Sequence, residues 1–534
     1  MRHRQPQVDP VRLHTLGPAD RGPAGHGHGQ RLQGRQGLNQ ARPGRAARRR
    51  RKENEMLTRM QTLSADEMNR IHEASLSVLR ETGIVFNDPE SVEIFKTHGI
   101  KTDGKKVFLS GKDVSDALAT CPETFTLKAL NPANDRRVGL DDFVMLPGYG
   151  APFVTLADGT QRRSEYRDYV DFVKLVQTSK SVDMNGFLMV EPCDSDPRVA
   201  HLDMLLAGLL CCDKPLMGTP VSRKAASDCV EVLAAAFGGK EGLMDRPATV
   251  SLINSLTPLQ FSEEMASSLV QLVRGGQAVC VAALIMSGSS GPVTIPGVLT
   301  LQNAEILAGI VLAQLVRPGA PVVYGSTSSA MDLRSGSLAC GAPELSMIVN
   351  MTAQMARHYR LPSRSGGSLT DALCVDAQAG AESALSLLTA VNSGINFILH
   401  SAGILGSYIS MSFEKFVVDE EVGAMVRRMV RPMPVGEEEI DARGIVEVGP
   451  GGNFLTRPRT ARLCRQEIFQ PGLMNRLNLE AWEAKGSPDV SRLASEKVKG
   501  RLESWKAPDM PASLRADILK KARELAEGAP LLAA

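Results

Sequence analysis

The chain has 534 residues and a formal net charge of +2. That sum hides an uneven distribution, because residues 1–55 hold 13 Lys and Arg against 4 Asp and Glu, and the rest of the chain is acidic overall. Residues 1–55 contain no Phe, Trp or Tyr and show no apolar periodicity, so we predict a disordered basic tail, or a start assigned too early, ahead of Met56 or Met60. Nucleic-acid binding through the run at 48–52 is the weaker alternative, since no comparable basic run follows.

Several classes are disfavoured by composition. No apolar h-region opens the chain and no window of about 18 uninterrupted apolar residues occurs, so we expect neither a secretory signal nor a membrane span. The nine cysteines form no CxxC and no Cys/His metal spacing. We therefore expect a cytoplasmic enzyme with no metal site of its own.

Residues 56–140 are predicted to form an α/β lead-in. A helix at 63–83 starts at a capping box of Ser64 and Glu67, and helices near 89–98 and 111–120 alternate with strands near 106–109 and 125–129. Residues 143–156 then indicate two strands joined by a Pro-Gly-Tyr-Gly turn, one of which is the candidate first strand of the next domain.

A short apolar segment recurs seven times after residue 180, each time followed by small polar residues. The starts lie roughly 30 to 43 residues apart, the length of one strand, one loop and one helix. The segments are 182–190, 215–219, 248–253, 278–286, 321–324, 361–363 and 395–400. This spacing predicts an α/β fold, a (β/α)8 TIM barrel spanning 141–410, with a C-terminal helical extension at 411–534.

Function in such a barrel lies where the strands end. The predicted strand ends supply hydroxyls, glycines, Arg364, His400 and Glu191, with no G-x-S-x-G serine and no strand-end lysine. Asp371 is expected to point into the opening, and Gln378 to lie near it in the first turn of a helix capped by Asp376. Gly/Ser loops at 287–291 and 326–329 leave open a phosphate site, and hence a lyase or isomerase with Glu191 as acid/base.

Five stretches resemble the trimethylamine methyltransferase family. They are IHEASLSVLRETGI at 71–84, PGYGAP at 147–152, YGSTSSAMDLRSGSLACGAPE at 324–344, the run at 366–396, and HSAGIL at 400–405. The resemblance covers nearly all of residues 60–475 and implies a barrel enzyme that moves a methyl group from a methylamine or quaternary amine to the Co(I) corrinoid of a separate protein. No pyrrolysine is present, which implies a member that uses quaternary amines such as glycine betaine. Pro458-Arg459-Thr460 departs from the Pro-His-Thr that the family leads us to expect.

On this interpretation no catalytic residue is assigned, the corrinoid stays on its partner protein, and no cofactor is tightly bound. The substrate would rest against an aromatic face, for which the candidates near the mouth are Tyr149, Phe153, Tyr324, Phe397 and Tyr408, with Tyr149 and Tyr324 nearest the strand ends. His400 and Arg364 are the expected partners of a betaine carboxylate. The residues expected to face the corrinoid are Ser326, Thr327, Ser328, Gly366, Gly367 and Ser368. A homo-oligomer, and a non-catalytic protein that only binds quaternary amines, remain open.

Overall fold

The computed structural model describes residues 59–533. The predictions for residues 1–55 and for a start at Met56 fall outside this range.

Seven parallel strands form one curled sheet. Every strand is hydrogen-bonded to its neighbours in the order β1-β7-β6-β5-β4-β3-β2. The strands are β1 (Val144–Met145), β2 (Leu216–Met217), β3 (Thr249–Asn254), β4 (Ala278–Ala283), β5 (Val322–Ser326), β6 (Ser363–Gly366) and β7 (Phe397–Leu399).

Residues 183–185 close the ring as its eighth member. The Asp183 N–H donates to Met145 O of β1 at 2.8 Å, and the Asn185 N–H donates to Pro215 O, next to β2, at 2.8 Å. The predicted eight-membered α/β barrel is therefore confirmed. The predicted 182–190 strand is shorter than expected and forms only isolated bridges, Asn185 to Leu216 and Val190 to Ala151.

Side chains alternate between two apolar layers along each strand. Val279 and Val281 of β4 pack outward against the helices, whereas Cys280 and Ala282 point into the barrel. Strands covered on both faces are apolar throughout, which explains the continuous apolar segments in the sequence.

Eight long helices cover the outside of the barrel. Serines 222, 262 and 412 and Asp376 accept hydrogen bonds from backbone N–H groups at the starts of four of them, so local capping sets where these helices begin. The helices are Tyr166–Thr178, Ala200–Cys211, Arg223–Ala236, Glu263–Arg274, Ile295–Val316, Pro343–His358, Ala377–Ser393 and Phe413–Met429.

The helix Ile295–Val316 is long and apolar enough to cross a membrane by length and composition. However, 72% of its most apolar window is buried inside the protein. It packs against the lead-in helices Ala65–Glu81, Pro89–Thr97 and Gly111–Thr120, so its apolar surface belongs to the core.

The lead-in agrees with the sequence pattern. The capping box of Ser64 and Glu67 is present, with the Ser64 N–H donating to Glu67 at 2.8 Å. One lead-in sheet consists of Ile84–Phe86, Lys101–Asp103 and Lys106–Phe108, together with Gln260–Phe261 from the barrel. A separate pair of strands consists of Thr124–Leu127 and Arg136–Gly139.

Two small sheets lie beyond the carboxyl ends of the strands. One joins Phe153–Thr155, Gln161–Arg163, Ile404–Leu405 and Ser410–Met411. The other joins Met286–Ser287, Ser329–Asp332 and Ser337–Ala339. Both cover the mouth of the barrel.

The chain after the barrel is helical, and the helix Phe413–Met429, which was predicted to belong to the extension at 411–534, packs on the barrel. The last two helices of the chain pack on the barrel helices Phe413–Met429 and Arg223–Ala236. Between residues 431 and 480 only Gly444 and Leu473 are buried. The helices are Glu437–Ile440, Ala442–Val448, Pro458–Glu467, Leu479–Glu483, Val490–Ser504 and Ala512–Leu525.

A buried ion pair fastens the last barrel helix behind the mouth. The Lys415 ammonium lies 2.6 Å from both carboxylate oxygens of Asp419 and donates to Ser383 Oγ at 2.8 Å. Both side chains are fully buried, and Asp419 also accepts the Gly403 N–H at 2.9 Å. Burial raises the pKa of Asp419 to about 6 and lowers the pKa of Lys415, so removal from water opposes the charged state of each partner.

Breaking this pair should destabilise the barrel strongly. Lys415→Met leaves the Asp419 carboxylate buried without its counter-ion, and we expect the free energy of unfolding to fall by about 3–5 kcal/mol. Chemical denaturation measures the loss. The double variant Lys415→Met, Asp419→Leu should recover most of it, because no charge then remains buried. A single variant as stable as wild type would contradict this account.

Candidate functional site

Arg364 lies inside the barrel on β6. The sequence predicted it just after a strand at 361–363, but the strand runs from Ser363 to Gly366 and Arg364 is its second residue. In the sheet register it stands between Gly325 of β5 and Phe397 of β7. Gly325 has no side chain, which leaves room for the guanidinium at this level of the barrel. A Cβ at Gly325 would lie 2.7 Å from Cys280 Sγ.

The guanidinium of Arg364 is buried without an acidic partner. The residue is 1% exposed, and the described residues contain no carboxylate within salt-bridge distance of it. Burial lowers the pKa of Arg364, while the group stays charged because its ordinary value is so high. A buried charge without a counter-ion is unfavourable, so this position is expected to bind an anion.

His400 follows β7 and faces Arg364. Its backbone is left-handed, with φ +63°. Arg364 Nη2 lies 3.2 Å from His400 Nε2. A guanidinium can only donate, so Nε2 must accept and the ring proton lies on Nδ1. Burial, reinforced by the Arg364 charge, holds the pKa of His400 well below its ordinary value, and the imidazole is neutral.

Two tyrosines complete the surroundings of Arg364. The Tyr408 ring lies 4.8 Å from the His400 ring, centroid to centroid. Tyr149 and Tyr408 are both within electrostatic range of the guanidinium, and burial raises the pKa of each phenol. Tyr149 was predicted for the site. Tyr408 was one of five aromatic candidates in the sequence, but nothing in its spacing showed that the turn at 400–408 returns it to His400.

Four donor atoms around Arg364 have no hydrogen-bond partner among residues 59–533. All four are buried, and each can donate in the protonation state described above. They are Arg364 Nε, Arg364 Nη1, His400 Nδ1 and the Tyr408 hydroxyl. A cluster of unpaired donors is complementary to an anion with several acceptor lone pairs, such as a carboxylate.

Three other predicted substrate contacts lie elsewhere. Tyr324 points outward from β5, where its hydroxyl donates to Asn303 Oδ1 at 2.9 Å, because odd and even residues of a strand face opposite sides. Asp371 accepts the N–H groups of Cys340 (2.6 Å) and Gly341 (2.9 Å) instead of pointing into the opening. Gln378 is exposed and donates to Glu382 on its own helix.

The residues predicted to face the corrinoid are buried. Ser326 donates to Gln302 Oε1 at 2.8 Å, and Ser368 donates to Ser401 O at 2.9 Å, so these hydroxyls are already satisfied within the protein. Ser326, moreover, is the last residue of β5 and not part of a loop. The buried residues are Ser326, Thr327, Ser328, Gly366, Gly367 and Ser368.

An apolar rim takes their place at the surface of the mouth. The loops after β4, β5, β6 and β7 each carry one large exposed apolar side chain. A Cβ at Gly288 would lie within 3.7 Å of both Val293 and Leu333, so these two side chains adjoin. The apolar rim consists of Val293 (66% exposed), Leu333 (67%), Leu373 (65%) and Ile409 (50%).

Comparison with known proteins gives one consistent family. The family model for trimethylamine methyltransferase matches residues 31–527. A glycine betaine methyltransferase of Desulfitobacterium hafniense (strain Y51) is 41% identical over 477 residues, which cover 89% of this chain and 99% of that protein. A proline betaine:corrinoid methyltransferase of Eubacterium limosum is 33% identical over 86% of this chain and 96% of that protein.

Two further similarities are more distant. A trimethylamine methyltransferase of Methanosarcina barkeri (strain Fusaro / DSM 804) is 32% identical over 85% of this chain and 93% of that protein. The crystal structure of the Methanosarcina barkeri monomethylamine methyltransferase covers 87% of this chain and 93% of that one, with a TM-score of 0.46 and 12% identity. The chain therefore belongs to the trimethylamine methyltransferase family and is a methyltransferase whose sequence contains no pyrrolysine.

Proposed function

We propose that this enzyme takes a methyl group from a quaternary amine that carries a carboxylate, and passes it to the Co(I) corrinoid of a partner protein. The observation that carries the substrate class is the buried guanidinium of Arg364 with its unpaired neighbouring donors. The names of the glycine betaine and proline betaine relatives support it, since both substrates are carboxylated quaternary amines.

Arg364 and His400 bind the carboxylate in this proposal. Two free guanidinium nitrogens and the His400 Nδ1–H can donate to its two oxygens. Charge-assisted hydrogen bonds of this kind are the strong ones, and a site closed to water strengthens them further. The carboxylate thus fixes one end of the substrate and orients the other.

The ammonium end needs no acid or base. Loss of one N-methyl group from a quaternary amine leaves a neutral tertiary amine, so no proton has to reach the leaving group. The Co(I) corrinoid, when bound, supplies the nucleophile. The protein then has to orient the N-methyl group and exclude water, and Tyr149 offers the aromatic face against which a methylammonium rests.

The partner protein docks on the apolar rim. Its four side chains come from the loops after the neighbouring strands β4, β5, β6 and β7, and exposed apolar side chains that adjoin one another mark interaction sites. The buried Ser326 and Gly366 segments underlie this surface without forming it.

We place the reaction in the cytoplasm, which fits nine free cysteines.

A phosphate-dependent lyase or isomerase is less well supported. Ser287 donates to Val293 O at 2.7 Å and Ser290 accepts the Met286 N–H at 2.9 Å, so the loop at 287–291 uses these hydroxyls internally. Glu191 lines an open pocket of about 420 Å³ together with Cys193 and His201. Arg364 is not among the residues that line this pocket.

The first test measures the consumption of Co(I) cobalamin from changes in its absorption spectrum. Glycine betaine and proline betaine should yield methyl-cobalamin, while tetramethylammonium, which has no carboxylate, should react far less efficiently. Arg364→Ala should raise the KM for glycine betaine by about 100-fold or more, since a buried charge pair is lost. Its effect on tetramethylammonium should be small. Absence of methyl-cobalamin with every quaternary amine would overturn the proposed function. If the amines still bound, that result would favour a non-catalytic protein that only binds them.

The apolar rim can be tested apart from the chemistry. Leu333→Glu and Leu373→Glu place a charge where the partner would be desolvated, so transfer to the corrinoid protein should fall at least tenfold. Transfer to free cobalamin should be unchanged, which shows that the barrel is intact. Exposed Met433, in the C-terminal extension, provides the matched control variant Met433→Glu. Equal loss with free cobalamin would contradict docking at the rim.

The pH dependence should be flat in the neutral range. The pKa of His400 is lowered from 6.5, so it gains a proton only in acid, and the pKa of Tyr149 is raised from 10.0, so it keeps its proton above neutrality. We expect kcat/KM for glycine betaine with free cobalamin to change less than about twofold between about pH 6.5 and 9. A transition near pH 6.5 that His400→Gln removes would contradict a neutral imidazole.

A further inference from the structure

We propose that the Tyr408 hydroxyl donates to the substrate carboxylate and that Tyr408 thereby sets the preference for carboxylated over simple quaternary amines. The inference rests on the proposed function, because it assumes a substrate with a carboxylate at Arg364. It adds a specificity-determining residue that no sequence motif indicated.

The position of the hydroxyl is the first argument. It is buried and makes no hydrogen bond to a nitrogen or oxygen atom of the described residues, although a buried phenol nearly always makes one. Its ring lies beside that of His400, and the guanidinium of Arg364 is within electrostatic range. The neighbouring group on its other side is the Cys340 thiol, which is only a weak hydrogen-bonding partner.

The backbone that presents Tyr408 is strained. His400, Ser407 and Tyr408 all have positive φ, at +63°, +53° and +77°. A bulky side chain in this region is unfavourable, and such residues persist where the surrounding structure holds them and cluster at ligand sites. This turn brings the Tyr408 ring beside the ring of His400.

Asp371 holds this turn in place as a positioning residue. Its carboxylate accepts a hydrogen bond from the Ser407 hydroxyl as well as from the Cys340 and Gly341 N–H groups. The Ser407 N–H also donates to Thr370 O at 3.0 Å. One carboxylate therefore joins the loops after β5, β6 and β7 and fixes the residue before Tyr408.

Selectivity follows from the count of donors. A carboxylate can accept from Arg364, His400 and Tyr408 together, whereas a simple tetraalkylammonium leaves all of them unpaired. Removing the Tyr408 hydroxyl should therefore weaken binding of the carboxylated substrate alone, because the aromatic ring itself is retained.

Tyr408→Phe in the full-length enzyme tests this. Calorimetric titration should show that glycine betaine binds about tenfold more weakly, because one charge-assisted hydrogen bond is lost. Tetramethylammonium should bind as it does to wild type. Tyr166→Phe is the matched control, because it removes a hydroxyl that donates to Asp203 O at 3.3 Å, outside the site. It should leave both affinities unchanged.

Asp371→Asn tests the positioning role. The ratio of the two affinities should shift in the same direction as in Tyr408→Phe, and Asp371→Glu should restore part of it. In the double variant Tyr408→Phe, Asp371→Asn, the ratio of the two affinities should be the same as in Tyr408→Phe alone, since both changes act through one hydroxyl. A purely structural role for Asp371 would weaken both ligands equally.

Two results are decisive in different ways. If Tyr408→Phe binds glycine betaine as wild type does, while wild type still methylates cobalamin from it, this inference is overturned and the proposed function stands. If wild type transfers nothing from any betaine, the proposed function is itself overturned, and the Tyr408 role with it.

Discussion

A positive charge enclosed in a barrel without a counter-ion is the constraint on which the site depends. Arg364 is buried, and the one side-chain hydrogen bond that it makes to the described residues goes to a neutral imidazole. Desolvation of an unpaired guanidinium is unfavourable by several kcal/mol, and the remaining fold has to offset it. In the proposed function, a carboxylated ligand offsets that cost on binding. The same feature would then account for affinity for an anion and for discrimination against cations that lack one.

The surrounding structure serves this charge in several ways. Gly325 leaves space beside it, and His400 accepts from it without competing as a second cation. The Lys415–Asp419 pair anchors Gly403, three residues after His400. Each of these groups is unremarkable in isolation. Together they keep donors directed inward while no acidic side chain neutralises them.

The barrel could be predicted from sequence because its strands are buried on both faces and recur at the length of one β/α unit. The ends of the strands could not be predicted, since β6 consists of Ser-Arg-Ser-Gly and carries no apolar signal. Tyr324 was misplaced because a one-residue shift in register reverses the face of a strand. The positions of Asp371 and Tyr408 depend on hydrogen bonds between loops that are distant in sequence. A single sequence does not show which loops pair in this way. Arg364 and His400 were candidates because both follow or end apolar segments, and the structure places their side chains 3.2 Å apart.

The segment at 431–480 has a different consequence. It contains three complete helices and the start of a fourth, yet it buries almost nothing. It is tied to the barrel at few points, including the hydrogen bonds that Glu421 accepts from the Gly472 and Leu473 N–H groups. Its local free energy of opening must therefore be far below that of the barrel. Opening of this segment would therefore leave the barrel folded, and we expect a protease to cut within 431–480 before it cuts the barrel.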